Sequence, residues 1–217
     1  MKAILIFLLA AVMIPLGFAS LRAQVPVFTD SELEQPVYRL LSELHGWGRE
    51  NRMLNVPPQD GRLLKMLVRM NGIKNALEVG TSNGLSAIWI ALGLRETGGK
   101  LTTLEIDPNK VKLAGENFAK AGVSELITIV EGDALAELPK LTGEFDLVFL
   151  DAAKGQYKGY LDAVWDRIPS GGIIVAHNAI QMADAMRDYL DFVQNHPELQ
   201  TVMLNTSGDG VALSYRK

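Results

Sequence analysis

LEVGTSNGLSAIWIALGLRETGGKLTTLEID, from Leu77 to Asp107, is the stretch whose reading decides the fold. It begins in a buried strand (Ala76–Val79), passes through a glycine-bearing turn (Gly80–Gly84) and an amphipathic helix, and ends in a second strand closing on Glu105. That is half of a Rossmann-like nucleotide fold, in which an acidic residue closing the second strand accepts hydrogen bonds from ribose hydroxyls. Gly80 and Gly84 let the backbone approach a ligand where a side chain would collide. Their spacing is G-x-x-x-G, not the dinucleotide G-x-G-x-x-G, and no Gly-Lys-Ser/Thr follows to make a P-loop. A ribose-bearing ligand without a tightly cradled pyrophosphate suits this turn, and S-adenosylmethionine is such a ligand.

Outward from this unit the chain keeps alternating strand and helix, which predicts a parallel sheet with right-handed crossovers. The expected strands are Ala76–Val79, Leu101–Glu105, Ile127–Glu131, Phe145–Asp151 and Ile173–Ala176. Thr201–Leu204 and Val211–Tyr215 flank Ser207-Gly208-Asp209-Gly210, a hairpin signal. Helices are expected near Leu85–Leu94, Asn109–Ala121, Tyr157–Arg167 and Met182–Asn195, and before the sheet over Val37–Arg52 and Gln59–Asn71. The fold class is therefore α/β, with a seven-stranded, mostly parallel sheet, a C-terminal antiparallel hairpin strand and helices on both faces. In such a sheet ligands sit beyond the carboxyl ends of the strands. Five consecutive strands deliver Gly80, Glu105, Asp133, Asp151 and His177-Asn178 to that edge.

The chain has 217 residues, enough for one domain with a large core. Residues 1–23 stand apart: Lys2 precedes an apolar run from Ala3 to Ala19, with Arg22 and Ala23 after it. This reads as an export signal, with an uncleaved anchor and a buried helix as the alternatives. The charge order across the run predicts an exported or membrane-anchored domain. Residues 24–36 read as a linker, and residues 37–217 as the main domain with an N-terminal helical cap over 37–71. Without Met1–Ala23, which holds Lys2 and Arg22 and no acidic residue, 19 basic residues face 25 acidic ones, net −6. That balance disfavours a nucleic-acid partner. There is no cysteine, which excludes disulfides and thiolate metal sites.

From about Arg52 onward the chain resembles the class I S-adenosylmethionine-dependent O-methyltransferases of the catechol and caffeoyl-CoA type. The matching pieces, in the family's order, are MLNVPPQDGRLL, ALEVGTSNGLSAIWIA, LTTLEIDPNKVKLAGENFAKAG, EGDALAELP, FDLVFLDAAKGQYKGYLD and GGIIVAHNAI. The resemblance implies that Asn55 and Val56 lie beside the methionine part of the cofactor. It implies that Glu78, Gly80 and Ser86 shape its amino-acid pocket, that Glu105 holds the ribose and that Asp133 and Ala134 border the adenine. Asp151, also in the cofactor pocket, would be the first metal ligand, Lys154 the catalytic base and Asn178 the last metal ligand, while Tyr157 packs. A divalent cation, Mg²⁺, Mn²⁺ or Zn²⁺, would orient a catechol and make its hydroxyl more anionic. The implied partner is a small aromatic hydroxyl acceptor, and a homodimer is the family's expectation.

His177 stands where the family usually has aspartate, giving AHN. Three readings stay open: a softened metal site of Asp151, His177 and Asn178; a metal-free site with His177 as general base; or a histidine bonded locally that does no chemistry. His45 and His196 read as surface or helix-end residues. Trp47, Trp89 and Trp165 read as core, with Trp47 the one to watch near the site. Two rival functions remain. A nicotinamide-dependent oxidoreductase calls for G-x-G-x-x-G where the chain has GTSNG, and a non-catalytic S-adenosylmethionine-binding protein would carry the altered metal site as a relic.

Overall fold

The computed structural model describes residues 28–51 and 53–217, so the apolar run at 3–19 and its export or anchor readings lie outside the described residues. The chain forms α1 (Asp30–Leu33), α2 (Pro36–Glu50), α3 (Pro58–Met70), β1 (Asn75–Val79), α4 (Leu85–Thr97), β2 (Lys100–Glu105), α5 (Pro108–Ala121) and β3 (Ile127–Glu131). It continues through α6 (Ala134–Glu137), β4 (Leu147–Leu150), α7 (Tyr157–Val164), β5 (Ile173–His177), α8 (Arg187–Asn195), β6 (Leu199–Leu204) and β7 (Val211–Arg216). The seven strands run in the order β3-β2-β1-β4-β5-β7-β6; β1 to β5 are parallel, and β7 pairs antiparallel with both β5 and β6. This is the Rossmann-like methyltransferase architecture expected from the sequence. No helix among the described residues is long and apolar enough to cross a membrane.

Alternation along β1 divides the interior in two. Ala76 faces a core made with α2 to α5, where Leu41, Leu64, Ile88, Trp89 and Phe118 are buried. Leu77 and Val79 face the other core, built on α7 and α8 with Tyr157, Leu161, Tyr189 and Val193. α4 carries buried residues all along Leu85–Leu94, because it lies between the sheet and α3 and has no solvent face there. Pro108 opens α5 after the Asp107 cap, whose side chain accepts from Asn109 N at 2.8 Å, and Gly122 ends it in a left-handed conformation.

Two expectations are revised. The stretch read as linker 24–36 contains α1, and Phe28 is buried, stacked 6.2 Å from Trp89 with an interplanar angle of 10°. The helices expected as single pieces over Tyr157–Arg167 and Met182–Asn195 each include a 3₁₀ turn, at Trp165–Arg167 and Ala183–Met186. The first tightens where the chain approaches Ile168-Pro169, since the residue before proline disfavours the helical region.

Trp89 joins several segments: Phe28 and Tyr38 (5.7 Å) pack on it, and a Cβ at Gly61 of α3 would lie 2.3 Å from its ring. Trp89→Ala is expected to lower stability by about 3–5 kcal/mol through loss of this buried ring. Urea unfolding checks it; a loss under ~1 kcal/mol would mean that α3 and the N-terminal segment do not depend on this contact.

Candidate active site at the carboxyl ends of the strands

Parallel register aligns the strand ends. Val79 pairs with Leu104 and Leu150, and Leu150 with Ala176, so Gly80, Glu105, Asp151 and His177 follow at one level of the sheet. The connections leave in opposite directions from β1 and β4, which makes this the topological switch point where ligands bind. A cavity of about 450 Å³ opens there, walled by Gly80, Ser82, Glu105, Asp133, Ala134 and Asp151 and covered by Met53 and Leu54 of the loop before α3. Its size lies in the range of small-molecule and cofactor sites.

Gly80 has φ 105°, and a Cβ there would lie 2.4 Å from the Asp151 carbonyl oxygen, so β1 and β4 meet at the cavity floor only because the side chain is missing. At Glu105, Oε2 accepts from Ser82 N at 2.7 Å and Oε1 from Ile106 N and Asp107 N at 3.0 and 3.1 Å. Three backbone donors thus fix this carboxylate in the wall. The Asp133 side chain caps α6 by accepting from Leu135 N at 2.9 Å.

The remaining residues expected near the cofactor lie behind the wall. Asn55 Nδ2 donates to the Leu44 carbonyl at 3.1 Å and Val56 is buried, so the pair pins the loop that brings Met53 and Leu54 over the cavity. Glu78 is fully buried, accepting from Ser86 Oγ at 2.5 Å and Thr103 Oγ1 at 2.6 Å. Burial first, and the negative charges of Asp151 and Glu105 after it, outweigh those two bonds and push its carboxyl up to about 8.

His177, at the end of β5, is buried between two carboxylates. Its Nε2 lies 3.0 Å from Asp60 Oδ2 on α3 and its Nδ1 3.4 Å from Asp151 Oδ1. Burial alone would lower the imidazole, but Asp151 and Asp60 raise it to about 9. Burial would likewise raise Asp60, but donation from His177, Thr206 and Ser207 holds it below the usual carboxylate range. Ser207 Oγ donates to Asp60 Oδ2 at 2.7 Å and Thr206 Oγ1 to Asp60 Oδ1. Lys154 Nζ donates to Asp151 Oδ1 and to the Tyr157 hydroxyl, both at 2.7 Å, and Tyr157 is buried as packing.

Asp151 and His177 meet at this edge, with Asn178 next in the chain. Both ring nitrogens of His177 face carboxylates and Asp151 Oδ1 is held by Lys154, while Asn178 donates through Nδ2 to Gln181 at 3.1 Å, a bond that leaves its Oδ1 uncommitted. The ring also groups with Asp60 and Asp209, whose Oδ2 lies 3.8 Å from Nε2. With a carboxylate against each ring nitrogen, the protonated ring is favoured over the neutral one.

Asp60, Ser82, Thr206, Ser207 and Asp209 are the residues that sequence reading missed. Ser82, at φ 50°, lies inside the quoted turn and serves through its backbone N–H, so its side-chain type carries no signal. His45, half-buried on α2, takes no part in the cluster, and His196 packs against Trp165 and Phe192 at 4.7 Å. Trp47 is exposed on α2, whereas Trp89 is core.

A Rossmann-like sheet with an open switch-point cavity and an acidic second-strand end defines an enzyme of the class that binds a nucleoside cofactor. The sequence profile described as "O-methyltransferase" matches residues 31–216, and the chain belongs to that family. It is 35% identical over 175 residues to a catechol O-methyltransferase of Mycobacterium tuberculosis, covering 73% of this chain and 79% of that protein. A catechol O-methyltransferase of Niastella koreensis is 37% identical over 132 residues, 59% of either chain. The O-methyltransferase of Bacillus cereus, solved in complex with SAH, superposes with a TM-score of 0.74 at 25% identity, covering 82% of this chain and 91% of that one. The chain is accordingly an S-adenosylmethionine-dependent O-methyltransferase of the catechol and caffeoyl-CoA type.

This relationship corrects the exported or membrane-anchored localisation. A related O-methyltransferase is solved in complex with SAH, the product of S-adenosylmethionine, a donor that an exported domain would lack.

Glu78 generates a pH prediction. Its carboxyl titrates at about 8 when folded and near 4.5 when unfolded, so between those values the folded state holds the extra proton. Its contribution to stability therefore falls as pH rises from 4.5 to 8. Glu78→Gln is expected to flatten the stability profile across that window in urea melts. An unchanged profile would show that Glu78 is ionised in the folded protein.

Proposed function

We propose that this enzyme methylates a hydroxyl of a catechol-like or other hydroxylated aromatic small molecule, with the cavity at β1, β2 and β4 as the S-adenosylmethionine site. The observation that carries the reading is the convergence of Gly80, Glu105, Asp133, Ala134 and Asp151 on one 450 Å³ cavity. Glu105 has three of its roughly four acceptor sites filled by backbone N–H groups and keeps the remainder for a ribose hydroxyl. Ile106 and Leu54, exposed beside it, offer the adenine apolar faces, and Asp133 and Ala134 border the ring. Glu78 and Ser86, behind Gly80, define the polar floor towards the methionine end, with the Asn55-Val56 loop above.

The chemistry is an in-line displacement. The acceptor oxygen forms a bond to the methyl carbon as the carbon–sulfur bond breaks, the sulfur keeps the electron pair, and S-adenosylhomocysteine leaves. Lys154 is the group assigned to the acceptor proton: its Nζ sits on Asp151 at the rim and, as the neutral amine, takes that proton. The Asp151 carboxylate and the Tyr157 hydroxyl aim the amine.

Glu105→Ala is expected to weaken S-adenosylmethionine binding by about 1.5–3 kcal/mol, with secondary structure unchanged by circular dichroism. Unchanged affinity in calorimetry would remove Glu105 from the ribose site. Lys154→Met is expected to lower kcat by about 10²–10⁴ while leaving cofactor affinity within about twofold. A variant that keeps its kcat on a methyl-accepting phenol would rule out Lys154 as the base.

A further inference from the structure

We propose that Gln156, oriented by Tyr160, reads the adenine of the cofactor: its Nε2 donates to a ring nitrogen of the base. The inference rests on the S-adenosylmethionine site proposed above and adds to it a residue that recognises the edge of the base.

Gln156 and Tyr160 line the cavity together with Asp133 and Ala134, and they stand at the same end of it. A Cβ at Gly159 would lie 3.2 Å from Leu135 Cδ2, so the first turn of α7 packs directly on α6. The Asp133 carboxylate that caps α6 is close enough to act on the Tyr160 hydroxyl. Gln156 is the residue immediately before α7, at the end of the short turn Lys154–Gln156.

Hydrogen-bond capacity decides which end of the amide is left for a ligand. The Tyr160 hydroxyl donates to Gln156 Oε1 at 2.6 Å. The Ala153 N–H is directed at the same hydroxyl oxygen, and a hydroxyl has one proton to give. That proton therefore goes to Gln156. The carbonyl end of the amide is taken, and the two N–H donors of Nε2 remain for a partner. Tyr160 is 4% exposed, and its ring packs 6.3 Å from that of Tyr157 in the core built on α7 and α8. The hydroxyl is thus held by the core, and it fixes an amide that stands on a surface turn. Tyr160 acts on the base through Gln156 and is a positioning residue.

The base supplies what such a donor needs. Adenine carries ring nitrogens with in-plane lone pairs, and its one exocyclic donor, the N6 amino group, suits a carboxylate. Asp133 spends Oδ1 on Leu135 N, a bond that leaves Oδ2 for that donor. The apolar faces of Ile106 and Leu54 meet any flat ring alike. An amide donor on the cavity wall distinguishes bases, because a ring without the matching acceptor leaves it unpaired.

The test measures binding to the full chain by calorimetry. S-adenosylhomocysteine is compared with its 1-deaza, 3-deaza and 7-deaza analogues, in each of which a C–H replaces one ring nitrogen. The wild type is expected to bind at least one analogue about three- to tenfold more weakly than S-adenosylhomocysteine, the loss of one hydrogen bond. In Gln156→Leu that analogue and S-adenosylhomocysteine are expected to bind within about twofold of each other. In Tyr160→Phe, where the amide is free to turn, the difference shrinks in the same direction. A merely structural role for Gln156 would weaken all four ligands alike and leave the difference intact, which would overturn the proposal. Equal binding of all four ligands by the wild type would overturn it as well, and if neither variant folds that comparison decides alone. No binding of any of the four would remove the S-adenosylmethionine site itself, and this inference with it.

Discussion

Everything at the working edge of this enzyme depends on how closely β1 approaches β4. A Cβ at residue 80 would lie 2.4 Å from the carbonyl oxygen of Asp151, so the two strands keep their register to the end only with glycine there. Register then fixes the rest, because each strand end is one hydrogen-bonded neighbour from the next. Glu105 follows from the pairing of β2 with β1, and His177 from that of β5 with β4. A shift of one residue in β4 would move the Asp151 side chain to the other face of the sheet and separate it from both Lys154 and His177.

The sheet was readable in the sequence because its signals are local. Apolar runs of five or six residues, glycines after strands and Pro108 after Asp107 act within a few positions, and the strands lie where those signals put them. The cavity wall was readable for the same reason, since a strand's end is known once the strand is known. Asp60 was not, because its partner is 117 residues away and nothing local marks the pair. One trace of it was present: Asp60, Gly61, Leu64 and Val68 share the buried stripe of α3, and a carboxylate on an apolar stripe must find a donor. Phe28 was missed because polar, proline-bearing composition describes a loop's surroundings and does not reveal a single aromatic anchor.

The His177 clamp should not be read as a device for stability. Buried ion pairs recover their desolvation cost only with good geometry, and well-packed apolar residues of similar volume often do as well. What such a pair does enforce is mutual dependence. With the imidazole gone, Asp60 and Asp151 would be left as buried carboxylates short of a partner, and α3, the β6–β7 turn and β4 would lose the point where they meet. The cluster is therefore better understood as fixing the relative position of three segments around the acceptor's edge.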